Sequence, residues 1–117
     1  YEKYVNLTPE ETNEKILEII EIIEHDQIES VQKAKLFFEL GYLQNIKQDY
    51  QAAISSFDKA LEFKPDKHEV WYNKACSYAL QGNINQAIAN LQTAINLDPE
   101  TVKDWVKTDS DFDAIWE

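Results

Sequence analysis

Apolar side chains recur along this chain at the three- and four-residue spacing of amphipathic α-helices. Residues 34–47 and 68–81 both carry this pattern, and each is followed by a short break of residues that tolerate turns. A second helical segment follows each break and stops before Pro65 or Pro99, because proline supplies no N–H and disfavours a helical residue before it. The pattern therefore predicts two helix–turn–helix pairs.

The two pairs are copies of one another at an offset of 34 residues. Four positions are identical at this offset, namely Ala53/Ala87, Ile54/Ile88, Ala60/Ala94 and Pro65/Pro99. Further positions are apolar in both copies, and one position stays small, as Gly41 and then as Ala75. A small residue lets paired helices approach closely, so we expect Gly41 and Ala75 to face Ala53 and Ala87 on their partner helices.

The N-terminal region predicts one further helix outside the repeat frame. Thr8 can cap it, Pro9 suits the first helical position, and Glu11 completes a capping box. One stripe of the helix is apolar and consists of Ile16, Ile19, Ile20 and Ile23. Leu17 and Ile22 flank this stripe on both sides, so the helix is apolar over a wider arc than capping requires.

The run Trp71-Tyr72-Asn73-Lys74-Ala75-Cys76-Ser77-Tyr78, continued by Gly82-Asn83 and by Leu97-Asp98-Pro99, resembles the tetratricopeptide repeat. This resemblance implies an all-α, right-handed α-solenoid. Its parts would be an N-terminal capping helix with the entry to the first repeat helix (1–33), repeat units at 34–67 and 68–101, and a partial third unit or C-terminal cap (102–117). The first repeat departs from the family pattern at Gln44, which replaces an aromatic residue, and at Gln48, which replaces the turn glycine.

Residues 102–108 start a third copy, and we expect a short helix that lays Trp105 over the last full repeat. The copy then fails, because Asp109 stands where the family needs a small residue. Residues 109–116 predict the capped start of another helix, with Phe112, Ile115 and Trp116 turned inward. This segment is similar to the end-of-array motif of bacterial, especially cyanobacterial, tetratricopeptide proteins.

The charge of the chain excludes several classes of partner. The formal net charge is −11, and every one of the 11 basic residues is lysine. A surface that binds phosphate normally uses arginine forks and a positive face, so we expect neither nucleic acid nor an anionic membrane surface as a partner. No apolar run reaches the length of a membrane span, no secretory signal is visible, and one cysteine cannot form an internal disulfide. We therefore predict a cytoplasmic protein.

Candidate catalytic and metal-binding groups are few. Cys76 and His68 lie eight residues apart on one predicted helix, about 12 Å, which is too far for a dyad. We expect Cys76 to be a buried small residue and His25 and His68 to lie at helix ends. The Asp109-x-Asp111-x-Asp113 spacing lacks the glycine that a calcium loop requires. The sequence predicts no enzyme, no cofactor and no metal.

The resemblance implies protein–protein interaction, because the first helices of such repeats line a concave groove. The groove positions carried over from the family are Lys35, Phe38, Tyr42, Asn45, Glu69, Tyr72, Asn73, Lys103 and Lys107. Aromatic rings with lysine at both ends suit a peptide that has an apolar anchor and acidic neighbours. In family members that clamp a C-terminal carboxylate, Asn73, Lys103 and Lys107 would match the later half of the clamp. Phe38 and Tyr42 replace its earlier half, and the third repeat that supports it is incomplete.

Two alternatives stay open at this stage. In the first alternative, Phe38 and Tyr42 pack against the N-terminal helix, so no groove is open at these residues. In the second, the chain is a structural domain that forms a homo-oligomer, through Leu17 and Ile22 or through an unfinished end of the repeat array.

Overall fold

The computed structural model describes residues 6–25 and 28–109. Every regular element in these residues is an α-helix, which confirms the predicted all-α class. The helices are α1 (Pro9–Ile23), α2 (Ser30–Ile46), α3 (Tyr50–Phe63), α4 (His68–Gln81), α5 (Ile84–Leu97) and α6 (Pro99–Thr108). The chain divides into two compact units, the first ending at Lys64 and the second beginning at Pro65.

Helix α1 begins at the predicted capping box. The Glu11 backbone N–H donates to Thr8 Oγ1 at 3.1 Å, and the Thr8 N–H donates to the Glu11 carboxylate at 3.4 Å. The isoleucine stripe of α1 then packs into an apolar cluster around Ile19, Leu40 and Leu43, which joins α1 to α2. The predicted cap and the predicted packing stripe are both confirmed.

Helices α2 and α3 approach closely at Gly41, and the atoms nearest to this glycine belong to Phe57. A Cβ added to Gly41 would lie 2.5 Å from Cε1 of Phe57, so the absent side chain makes room for an aromatic ring. Phe57 is fully buried. The expected facing residue, Ala53, is fully buried on the same helix, and the large Phe57 ring supplies the nearest contact to Gly41. One helical turn along α2, the Ser56 hydroxyl donates to Oε1 of Gln44 at 2.6 Å.

The turns after α2 and α4 have the same hydrogen-bonding pattern. In the first turn the Asp49 N–H donates to the Gln44 carbonyl, and in the second the Asn83 N–H donates to the Tyr78 carbonyl, each at 2.9 Å. This six-residue closure needs a left-handed residue just beyond the helix. Gly82 fills that place with φ of 84° and Gln48 with φ of 66°. The turn glycine is therefore absent from the first repeat, but its backbone conformation is kept.

The second unit packs α4, α5 and α6 around one core. Its buried residues are Tyr72, Ala75, Cys76, Ala79, Ala87, Leu91, Ala94, Val102 and Val106. Helix α6 begins at Pro99, three residues before the predicted start, because Asp98 caps it by accepting the Thr101 N–H and proline suits the first helical position. The further helix predicted at residues 109–116, with Phe112, Ile115 and Trp116 turned inward, lies outside the described residues except for Asp109.

Candidate partner-binding surfaces

One stripe of α2 is partly open to solvent. Val31, Lys35, Phe38, Tyr42 and Ile46 follow one another at intervals of three or four residues, which places them on one side of the helix. Val31, Lys35 and Ile46 are exposed, and Phe38 and Tyr42 are half-buried. We call these five residues the α2 stripe. It combines two aromatic rings, two aliphatic side chains and one lysine.

The two aromatic rings of the stripe are held by their own unit. The Phe38 ring packs against the Phe57 ring of α3, with 6.0 Å between centroids. Tyr42 packs on the cluster formed by α1 and α2. Packing of both rings against the N-terminal helix was one of the two alternatives above, but the Phe38 ring contacts α3 instead. Both residues are only half-buried, so packing and partial exposure coexist at these positions.

Two further residues of α2, Asn45 and Val31, differ in whether the sequence predicted them. Asn45 was predicted as a groove residue and lies half-buried near the end of α2. Val31 was not predicted, because the repeat frame begins at residue 34 whereas α2 begins at Ser30. Its spacing of four residues from Lys35 is the signal that could have identified it.

In the second unit, Tyr72 does not lie on an open surface. Only 6% of Tyr72 is exposed, and the edge of its ring meets the Trp105 ring at 5.1 Å between centroids. The Tyr72 hydroxyl donates to Oδ2 of Asp109 at 2.5 Å, and the Cys76 thiol lies 3.8 Å from the same oxygen. Trp105 thus covers the last full repeat, as predicted, and covers a predicted groove residue in doing so. Cys76 is buried, which also confirms its prediction.

The polar groove candidates of α4 are engaged within their unit. Nδ1 of His68 lies 3.1 Å from the Glu69 carboxylate, and Nε2 lies 3.5 Å from the Asp98 carboxylate. The imidazole also stacks on the Trp105 ring at 5.6 Å between centroids. The side-chain amide of Asn73 donates to the Glu69 carbonyl at 2.8 Å. These contacts give Glu69 and Asn73 a local packing role that the sequence pattern did not reveal.

Lys103 and Lys107 lie on the exposed side of α6. Lys107 forms an ion pair with Asp104 at 3.8 Å, and both side chains are largely solvated. An exposed pair of this kind contributes little to stability. The carboxylate clamp built on Asn73, Lys103 and Lys107 stays a prediction.

Leu17 and Ile22 are exposed on α1, Leu17 at 63% and Ile22 at 46%. They are five residues apart, which corresponds to about 140° around the helix axis. The two side chains therefore form two separate apolar points, one on either side of the packing stripe.

The described residues contain no group of three or more His, Cys, Asp and Glu side chains that could hold a metal ion. Within the same residues, every buried side-chain nitrogen or oxygen has a hydrogen-bond partner. None of the helices described is long and apolar enough to cross a membrane.

Family models for the tetratricopeptide repeat match residues 34–67 and residues 68–101. The chain belongs to the tetratricopeptide repeat family. This membership confirms the predicted helical-repeat fold, and because members of the family bind protein partners, it identifies the chain as a protein–protein interaction module.

Several known proteins share part of this sequence. A protein STIP1 homolog of Dictyostelium discoideum is 29% identical over 79 residues, which is 68% of this chain and 14% of that protein. A protein SGT1 homolog of Bos taurus is 38% identical over 56 residues, 48% of this chain and 17% of that protein. An uncharacterized protein of Methanocaldococcus jannaschii is 30% identical over 59 residues, 50% of this chain and 69% of that protein. The chain thus spans a small part of the first two relatives.

Proposed function

We propose that this module binds a peptide segment of a partner protein along the α2 stripe. The observation that supports this function is the row of partly exposed apolar side chains on α2, with Lys35 beside two aromatic rings. Aromatic residues are enriched where proteins bind one another, because a rigid ring buries a large area at low entropic cost.

The α2 stripe favours a peptide with one apolar anchor and acidic neighbours. The half-buried rings of Phe38 and Tyr42 offer apolar contact for the anchor, and the exposed Lys35 attracts a carboxylate next to it. Val31 and Ile46 lie at the two ends of the stripe, so the contact runs about 22 Å along the helix. Tyr72 has no part in this site, since Trp105 covers it.

The test is selection of a displayed random-peptide library against the immobilised chain, followed by anisotropy titrations with one enriched peptide. We expect enriched peptides to place Asp or Glu beside an aromatic or aliphatic residue. Lys35→Glu turns an attraction into a repulsion and should weaken that peptide by about tenfold. Val31→Glu should weaken it as well, because a charge replaces an apolar contact.

The matched control is Lys59→Glu, which reverses the charge of an exposed lysine on α3. It should leave the affinity within about twofold, since it lies away from the α2 stripe. Failure to enrich any peptide above background would contradict the proposal, and so would equal losses in Lys35→Glu and Lys59→Glu.

Self-association through α1 is a second candidate function, supported by the exposure of Leu17 and Ile22. The double variant Leu17→Glu/Ile22→Glu should then convert an oligomer into a 13.7 kDa monomer. Light scattering behind a sizing column measures this directly. A chain that is monomeric before the substitution rules the candidate out.

A further inference from the structure

The segment from Cys76 through Leu97 contains no charged residue, although 28% of the whole chain is charged. The segment includes all 14 residues of α5. Much of it is nevertheless exposed on the outer side of α5, at Asn85, Ile88, Ala89, Gln92 and Asn96. We call these five residues the neutral face. An exposed face without charge is unusual in so acidic a chain, because solvated helix faces are where charged residues normally lie.

The first repeat shows that the repeat pattern does not require this neutrality. The residues of α3 that correspond to Gln92, Thr93 and Asn96 are Asp58, Lys59 and Glu62, all three of them charged and exposed. Burial differs too, since Ile54 is 3% exposed on α3 whereas the identical residue Ile88 is 46% exposed on α5. The same position is therefore core in one repeat and open surface in the other.

Exposed apolar side chains of the second unit concentrate in the same segment. Leu80, Ile88 and Leu97 are the large hydrophobic residues that are exposed among the described residues of this unit. Depletion of charge distinguishes the centre of a protein–protein interface from the rest of a surface. Ile88 adds an exposed aliphatic side chain to the neutral face itself.

We infer that the neutral face binds a second copy of this chain in a symmetric dimer, with α5 packed against α5. A net charge of −11 makes two copies repel, so they approach best through a face that adds no like-charge contact. In a two-fold arrangement the same patch meets itself, and amide side chains suit this because each both donates and accepts. Such pairing already occurs on this face, where the Gln92 amide donates to the Asn96 carbonyl oxygen at 3.1 Å. Ala89 is small enough for two helices to come close.

This inference goes beyond the proposed peptide function and is independent of it, because it uses no residue of α2. Loss of the dimer and loss of peptide binding are measured separately, by mass and by anisotropy. Either proposal can fail without the other.

The experiment is sedimentation equilibrium of the full chain from about 1 μM to about 1 mM. We expect the mass to rise with concentration from 13.7 kDa toward twice that value. Raising the salt from about 0.01 M to about 1 M should tighten the dimer, because salt screens the repulsion between two acidic chains and the contact itself contains no charge to screen. A mass that stays at 13.7 kDa throughout, or a dimer that salt dissociates, overturns the inference.

Ala89→Glu places a carboxylate in the middle of the neutral face and should weaken dimerisation by about tenfold or more. Ser55→Glu is the matched control, because Ser55 is the equivalent exposed position of α3 and should leave the dimer unchanged. Circular dichroism checks that both variants fold, and Gln92→Glu serves in place of Ala89→Glu if that variant is less helical. Equal weakening by Ala89→Glu and Ser55→Glu contradicts the inference, as does a dimer that only the double variant Leu17→Glu/Ile22→Glu dissociates.

Discussion

On α2, Phe38 and Tyr42 are half-buried, whereas the equivalent residues of α4, Tyr72 and Cys76, are buried. The difference arises from α6, because Trp105 packs on the Tyr72 ring and the Asp109 carboxylate accepts a hydrogen bond from the Tyr72 hydroxyl. A place in the repeat frame therefore does not make a residue a binding residue. Under the proposed function, the position is available for binding on α2, where it stays partly open, and contributes to the core on α4, where Trp105 covers it.

The largest effect is expected for Trp105→Ala, which removes the ring that covers Tyr72 on α4. We expect the free energy of unfolding to fall by about 2–4 kcal/mol, somewhat less than for a fully buried tryptophan. The labelling rate of the Cys76 thiol under native conditions should rise, because the cover over the helix is lost. Urea unfolding and reaction with a thiol reagent measure the two effects.

The control for thiol labelling is Gly82→Ala, a variant that should be less stable but that keeps the Trp105 ring over α4. Gly82 lies in the turn after α4, and a Cβ there would meet no atom within 4 Å. If both variants accelerate labelling equally, the faster reaction reflects general opening and the role assigned to Trp105 is wrong.

Gly41→Ala tests how closely the first helix pair, α2 and α3, packs at Gly41. The added methyl group would overlap the Phe57 ring, and overpacking of this kind costs about 1–3 kcal/mol. The second repeat has a larger residue, Ala75, at the Gly41 position and a smaller one, Leu91, at the Phe57 position. Each repeat thus combines one small and one large side chain at this contact.

The double variant Gly41→Ala/Phe57→Leu transfers the second repeat's pair to the first. It should be more stable than the sum of the two single changes predicts, and chemical unfolding of all four proteins gives this coupling energy. Strict additivity would show that the two residues do not compensate each other.

Gly82→Ala tests the left-handed turn of the second repeat. Since no neighbouring atom obstructs the methyl group, the loss comes from the backbone alone and should be about 1–2 kcal/mol. Thermal unfolding followed by circular dichroism measures it. An unchanged midpoint would mean that the turn relaxes to another conformation.

Gln48→Gly is the corresponding change in the first repeat and has the smallest expected effect, with the opposite sign. Gln48 holds a φ of 66°, which glycine adopts without steric cost. The strain relieved exceeds the entropy that glycine adds to the unfolded chain, so we expect a gain of about 1 kcal/mol. A decrease in stability would show that the Gln48 side chain contributes more than its backbone costs.

Much of the fold could be predicted from residue spacing and turn chemistry. The capping box at Thr8, the isoleucine stripe of α1, the two repeats and the cover formed by Trp105 all depend on residues close together in sequence or on a fixed repeat. The start of α6 differs from the predicted one. Proline after a helix predicts only that this helix ends, whereas Pro99, with the Asp98 cap before it, is also the first residue of the next helix. The site could be predicted less well, since the open or covered state of Tyr72 depends on Asp109 and Trp105, more than thirty residues away.

The sequence by itself determined that this chain is an all-α tetratricopeptide repeat protein, because helical periodicity, small residues and turns recur at one fixed offset. Only the tertiary structure decided that Gly41 accommodates Phe57, that Tyr72 is core and that Ile88 is surface. The physical reason is that periodicity records which side of a helix a residue occupies, whereas burial depends on which other helix reaches that side. Identical residues at equivalent repeat positions can therefore differ in burial, as Ile54 is buried and Ile88 is exposed.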